Sequence, residues 1–132
     1  KDLIQAIEGC RILIVNDYEL SLVLSKTELN KNDLLKMAGT IITTLGALGS
    51  QISSQDRDVS IPAFKVKKVV DPTGAGDAYR GGLLCGLAHG KDIEQCAWMG
   101  SVCASFPVET YGTQEYSFTP EEFNERLNHK NG

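Results

Sequence analysis

The residues with the clearest chemical potential form the run DPTGAGD at positions 71–77. A strand-like apolar segment precedes this run, and a helix rich in small residues follows it. Where a glycine turn enters a helix, unpaired backbone N–H groups and the helix dipole converge and attract anions. Asp77 adds a carboxylate to that volume, so the run combines donors for phosphate oxygens with an acceptor for a proton. This combination indicates phosphoryl transfer, although an acid at a helix start can also serve only as a cap.

Two other strand ends carry polar residues or glycines. An apolar run ends at Asn16, three residues before Glu19, and a β-branched run ends just before Gly46 and Gly49. Because ligands bind beyond the carboxyl ends of strands in open α/β sheets, we expect all three loops to line one crevice. A structural alternative stays open for each, since N-x-x-E is also a helix capping box and glycine loops are also ordinary turns.

The elements that must position these loops alternate as in a doubly wound α/β fold. Runs at 11–15 and 40–44 predict strands of a mostly parallel sheet. The pieces 51–53 and 61–70, with a polar turn between them, predict short antiparallel strands. Helices are predicted up to Gly9, after Asn16, after an Asn32-Asp33 cap, over 77–88, over about 92–106, and from Thr119 to about Leu127.

Composition narrows the function classes. With 132 residues and 42% hydrophobic content the chain fits one globular domain, and its net charge of −4 argues against nucleic acid or an anionic membrane as partner. No signal peptide and no apolar run long enough to span a bilayer is found, which favours a cytoplasmic location. We expect no metal or redox motif but four reduced core cysteines, namely Cys10, Cys85, Cys96 and Cys103.

Taken together, the motifs resemble those of the ribokinase/PfkB family of sugar and nucleoside kinases. The run DPTGAGDAYRGG at 71–82 is similar to the C-terminal family signature, NDYE at 16–19 to its N-x-x-E motif, and TLGALG at 44–49 to its T-x-G-x-x-G nucleotide loop. The resemblance implies a ribokinase-like, Rossmann-like three-layer α/β fold. It also implies that residues 1–132 are the C-terminal nucleotide-binding and catalytic portion of a longer kinase domain, which agrees with a first residue other than methionine.

The family resemblance also implies roles for individual residues. Asp77 would be the base that takes the proton of the substrate hydroxyl as it attacks the γ-phosphate of ATP. The backbone of Gly74, Ala75 and Gly76 would hold the transferring phosphoryl group. The expected nucleotide contacts are Asn16, Thr44, Gly46, Gly49, Gly76 and Ser101, the last standing where many family members carry asparagine.

Two cations are expected on the same grounds. Glu19 would order water around Mg²⁺, a cation that keeps most of its hydration shell. A monovalent cation, K⁺, would be held by the side chain or carbonyl oxygens of Asp71, Thr73, Pro107, Thr110 and Gly112.

The implied reaction transfers the γ-phosphate of ATP to a hydroxymethyl group of a small sugar or nucleoside. The segments VNDYEL and VETYGTQ look most like those of adenosine-kinase-like members. Two alternatives stay open: a non-catalytic nucleotide-binding or regulatory module, and a structural α/β domain whose glycine loops are only turns. If the N-terminal half is absent, we expect exposed apolar surface, with self-association or pairing with that half.

Overall fold

A computed structural model describes residues 2–66, 74–107 and 119–129 of the chain. Helices and strands alternate along the first part, and in the described residues after Ile61 the regular elements are helices. The elements are α1 (Asp2–Ile7), β1 (Ile12–Asn16), α2 (Asp17–Thr27), α3 (Lys31–Ala38), β2 (Thr40–Thr44), a 3₁₀ turn (Gly46–Leu48), β3 (Ser50–Ser54), β4 (Asp58–Ile61), α4 (Ala75–Ala88), α5 (Ile93–Ser105) and α6 (Pro120–Asn128).

The four strands form one sheet in the order β1-β2-β3-β4. Strands β1 and β2 are parallel, with Asn16 opposite Thr44 at their carboxyl ends. Strands β2 and β3 are antiparallel, and β4 follows β3 after three residues, a connection too short for a parallel crossover. Within the described part of the sheet, parallel pairing is therefore confined to β1 and β2, which places two predicted site residues side by side.

The strand predicted at 61–70 differs from the structure. Strand β4 ends at Ile61, and residues 62–66 form no strand, so the prediction is wrong for this stretch. Pro62 lacks the N–H group that would continue the ladder, which explains why pairing stops there. Residues 67–70 lie outside the described residues.

The chain divides into two compact units, one of residues 2–45 and 50–60, the other of 46–49 and the described residues from 61 onward. In the first unit, strands β1 and β2 and helices α1 and α3 share a core of Ile7, Val15, Leu34, Leu35, Ala38 and Ile41. In the second unit, α4 and α5 approach closely through glycine. A Cβ on Gly82 would lie 2.7 Å from the Met99 carbonyl oxygen, and one on Gly100 would lie 2.8 Å from that of Tyr79. These two helices therefore pack almost backbone to backbone.

Side-chain caps fix where four of the helices begin. Capping boxes form at Asn16, Asp92 and Thr119, and the side chain of each cap accepts a backbone N–H three residues later. The sequence predicts a helix start at each of these three residues. Helix α3 is the correction: its cap is Asn30, not the predicted Asn32-Asp33, because Asp33 is the third helical residue and completes the box.

Helix α6 is attached to the second unit by Arg126. The guanidinium lies 4.0 Å from the centroid of the Phe106 ring and 5.5 Å from that of Phe64. It also donates to the Ser105 hydroxyl at 2.7 Å. A cation near two aromatic rings that also donates to a buried serine is a strong local contact.

Replacing Arg126 by glutamine is expected to lower the free energy of unfolding by about 2 kcal/mol, since it removes both the cation–π contacts and a charged hydrogen bond. Urea unfolding measures this loss. Glu125→Gln on the exposed side of α6 is the matched control and should change stability by under about 0.5 kcal/mol. Equal effects of the two substitutions on stability would contradict this role of Arg126.

The four cysteines are free thiols, but they differ in surroundings. Cys96 is buried in α5 as predicted, whereas Cys85 is exposed, so a core position is wrong for it. Leu84, the residue before it in α4, is exposed as well. Burial, and secondarily the charge of Cys85, raises the pKa of the Cys103 thiol to about 11.

This contrast predicts selective thiol chemistry. At pH 8 iodoacetamide should modify Cys85 first and leave Cys103 mostly unmodified, because only thiolates react. The raised pKa of Cys103 also predicts how stability depends on pH. The contribution of this thiol to stability is complete below pH 9 and is lost as the pH rises through about 11.

Urea unfolding between pH 9 and 11 should therefore show a smaller loss of unfolding free energy with pH in Cys103→Ala than in the parent chain. The same dependence on pH in both proteins would contradict this prediction.

None of the helices in the described ranges is long and apolar enough to cross a membrane.

Candidate active site

The N-x-x-E residues begin α2 in the first unit and form a reciprocal cap. The Glu19 N–H donates to Asn16 Oδ1 at 2.7 Å, and the Asn16 N–H donates to Glu19 Oε2 at 2.9 Å. The N-x-x-E motif therefore does form a helix capping box, which was its structural alternative. The cap does not use Asn16 Nδ2, so the same amide still has a donor for a ligand.

Thr44 stands beside Asn16, because the two residues pair at the ends of the parallel strands β1 and β2. Asn16, Thr44 and Glu19 are half-buried. The first unit thus brings together an amide, a hydroxyl and a carboxylate at one sheet edge.

The two glycines of the nucleotide loop belong to the second unit, and the structure constrains them differently. Both have positive φ, +59° at Gly46 and +93° at Gly49, and the Gly49 N–H donates to the Gly46 carbonyl at 3.0 Å. A Cβ on Gly49 would collide with the Ile61 carbonyl oxygen and lie 2.7 Å from the Ala63 nitrogen. A Cβ on Gly46 would meet nothing within 4 Å. Folding therefore requires glycine at position 49, whereas the described residues leave space for a side chain at position 46.

The run Gly74–Asp77 opens helix α4, as the sequence predicts. Gly74 is the N-cap with φ 86° and has no side-chain cap, and its carbonyl accepts the Ala78 N–H at 3.0 Å. The first-turn N–H groups of Ala75, Gly76 and Asp77 have no acceptor within the helix. A Cβ on Gly76 would have as its nearest neighbour only Arg80 Nη1, at 3.9 Å. No other described residue approaches this position of the turn.

Asp77 is the third residue of α4, and its side chain is 92% exposed. Arg80 Nη1 lies 3.6 Å from Asp77 Oδ1. We did not single out this arginine from the sequence, although a signal exists: opposite charges three residues apart on a helix share a face.

Ser101 and Pro107, also in the second unit, are buried on or next to α5. The Ser101 hydroxyl donates to the Pro62 carbonyl at 2.8 Å, so only its oxygen lone pairs are left for a nucleotide. Of the expected K⁺ ligands, only Pro107 belongs to the described residues; Asp71, Thr73, Thr110 and Gly112 lie outside them.

The described side chains do not form a direct metal cage. In residues 2–66, 74–107 and 119–129 no group of three or more His, Cys, Asp or Glu residues could hold a metal ion. A single half-buried carboxylate such as Glu19, with one oxygen committed to the helix cap, fits a cation bound through water rather than a directly coordinated one.

The chain belongs to the pfkB family of carbohydrate kinases, whose family model matches residues 1–121. The resemblance found in the sequence is thereby confirmed. The first unit's sheet and the α4–α5 pair are parts of the ribokinase-like α/β fold that the sequence predicts.

Individual relatives are nucleoside and sugar kinases. The chain is 38% identical over 125 residues to a nucleoside kinase of Methanocaldococcus jannaschii, covering 95% of this chain and 41% of that protein. It is 32% identical over 123 residues to a ribokinase of Bacillus subtilis, covering 93% and 41%. The structure matches that of a Burkholderia thailandensis nucleoside kinase solved in complex with inosine, with a TM-score of 0.92 and 35% identity, covering 98% of this chain and 44% of that one. The chain therefore spans only about two fifths of the length of these relatives.

Proposed function

We propose that the polypeptide to which this chain belongs transfers the γ-phosphate of ATP to a hydroxymethyl group of a nucleoside or sugar, and that residues 1–132 are its C-terminal nucleotide-binding and catalytic portion. The observation that carries this proposal is the start of α4. There an exposed carboxylate, Asp77, stands in the same helical turn as N–H groups that have no helical acceptor.

The turn suits both halves of the reaction. The hydroxyl oxygen of the acceptor attacks the γ-phosphorus, the bond from this phosphorus to the β–γ bridging oxygen breaks, and ADP leaves. Asp77 takes the hydroxyl proton, while the N–H groups of residues 75–77 stabilise the charge on the phosphoryl oxygens. Gly76 carries no side chain, which lets the phosphoryl group approach the backbone.

Nucleotide and cations would be held by the remaining site residues. Asn16 Nδ2, the Thr44 hydroxyl and the open backbone at Gly46 offer donors to phosphate and ribose oxygens, and Ser101 Oγ offers an acceptor. Mg²⁺ would shield the phosphate charge and be bound through water to Glu19. K⁺ would bind at Asp71, Thr73, Pro107, Thr110 and Gly112, where the described residues offer Pro107 alone.

A nucleoside acceptor is the better supported choice. The M. jannaschii relative and the B. thailandensis structure are both nucleoside kinases, and the latter was solved with inosine. The sequence features that look adenosine-kinase-like favour the same class. A cytoplasmic location suits ATP as co-substrate and the four free thiols.

The exposed apolar residues support a partner for this chain. Leu84 of α4 is 58% exposed and Leu48 in the nucleotide loop is 80% exposed. Since relatives are more than twice as long, we propose that a further, N-terminal half covers such residues and supplies acceptor contacts. Without that half the chain would self-associate.

The test is a transfer assay on the complete polypeptide with Mg·ATP and a panel of inosine, adenosine, cytidine, ribose and fructose. Formation of ADP together with a nucleoside 5′-monophosphate, identified by ³¹P NMR, is the expected result. The coverage of two fifths favours the alternative of a non-catalytic module for the isolated 132 residues. ATP binding by calorimetry without any product from the complete polypeptide would overturn the kinase proposal.

A further inference from the structure

Arg80 lies one helical turn after Asp77 and bends back toward the start of α4. Its Nη1 atom is 3.6 Å from Asp77 Oδ1 and 3.9 Å from the place a Cβ on Gly76 would occupy. Helical side chains point toward the N-terminus, so an arginine at this position reaches the first turn without strain. The guanidinium therefore lies over the same turn that carries the proposed base.

Stability alone does not account for this pair. The two side chains are 36% and 92% exposed, and exposed ion pairs at this spacing contribute little to folding. A cation near a helix N-terminus is also opposed by the helix dipole. What the pair does change is the freedom of the carboxylate, because an exposed aspartate otherwise samples several χ1 rotamers.

From this geometry we infer that Arg80 is a positioning residue for Asp77. By holding Oδ1, it fixes the rotamer in which Oδ2, which lies outside the ion pair, can meet the acceptor hydroxyl. The inference rests on the proposed function, and it adds a residue that acts through the base rather than on substrate. Pre-orientation of this kind matters because a small misplacement of a reacting group costs a large factor in rate.

The first experiment needs no activity. Three-bond ¹³C–¹³C and ¹³C–¹⁵N couplings measure the χ1 rotamers of Asp77 in the parent chain, in Arg80→Gln and in Arg80→Lys. We expect Asp77 to have one dominant χ1 rotamer in the parent chain and several exchanging rotamers in Arg80→Gln. In Arg80→Lys the dominant rotamer should largely return, since lysine keeps the charge. Arg11→Gln, an exposed arginine before β1, is the control and should leave Asp77 unchanged. An unchanged rotamer in Arg80→Gln overturns the inference whether or not the protein is a kinase.

The second experiment uses the kinetics of the complete polypeptide. Arg80→Gln should lower kcat by about 10- to 100-fold, leave the KM values for acceptor and ATP within about twofold, and recover most of the rate as Arg80→Lys. The double variant Asp77→Asn/Arg80→Gln should be no slower than Asp77→Asn, because a residue that acts through Asp77 has nothing left to orient. A raised KM for ATP, or additive losses, would instead make Arg80 a phosphate contact and overturn the positioning role. Inactivity of the parent polypeptide would refute the proposed function and leave the rotamer measurement to decide on Arg80.

Discussion

Replacing Asp77 by asparagine is expected to slow phosphoryl transfer by about 10²- to 10⁴-fold, the range that general-base catalysis contributes. The substitution keeps the size of the side chain but replaces the carboxylate by a neutral amide, which is too weak a base to take the hydroxyl proton. Because the side chain is 92% exposed, little packing is lost. The ion pair with Arg80 is exposed as well and contributes little to stability. A steady-state assay on the complete polypeptide should therefore show a lower kcat with unchanged binding of ATP.

A matched control separates catalysis from helix capping. Asp92 is the N-cap of α5 in the same unit, and asparagine caps a helix as well as aspartate does. Asp92→Asn should leave kcat within about twofold, and both variants should unfold at nearly the parent urea concentration. If Asp77→Asn retained more than about a tenth of the parent rate, Asp77 would not be the base.

Local signals in the sequence were sufficient for most of the elements. The strand 40–44 has the predicted bounds, and the caps at Asn16, Asp92 and Thr119 set the helix starts because a cap depends only on a residue and its third neighbour. The same locality explains the α3 error, since Asn30-x-x-Asp33 and Asn32-Asp33 compete within four residues. The order of the motifs along the chain then indicated the family, and the match to the family model confirms it.

Contacts between distant residues could not be predicted in this way. The Ser101 hydroxyl meets a carbonyl 39 residues away, and Arg126 meets rings on two other segments. Nothing in their immediate neighbours indicates either partner. The exposure of Cys85 has the same origin, because a small apolar residue in a helix is buried or exposed according to what packs on its face.

The two loop glycines illustrate this limit, and they lead to the largest expected change in stability. Gly49→Ala should lower the free energy of unfolding by about 3 kcal/mol or more, combining about 1–2 kcal/mol for a left-handed backbone with about 1–3 kcal/mol for the forced contact. The atoms in the way are backbone atoms of Ile61 and Ala63, which cannot turn aside as a side chain would. Urea unfolding of the 132-residue chain measures the loss.

Gly46→Ala is the control within the same loop, because Gly46 shares the positive φ but faces open space. Gly46→Ala should lower the free energy of unfolding by only about 1 kcal/mol, the cost of a left-handed backbone at an alanine. If the open space at Gly46 receives the nucleotide, the same substitution should weaken ATP binding by more than its effect on stability explains. Equal destabilisation by the two substitutions would refute the assignment of position 49 to folding. Glycines that look equivalent in the motif are thus constrained differently, because the Ile61–Ala63 backbone requires glycine at position 49 and no described residue requires it at position 46.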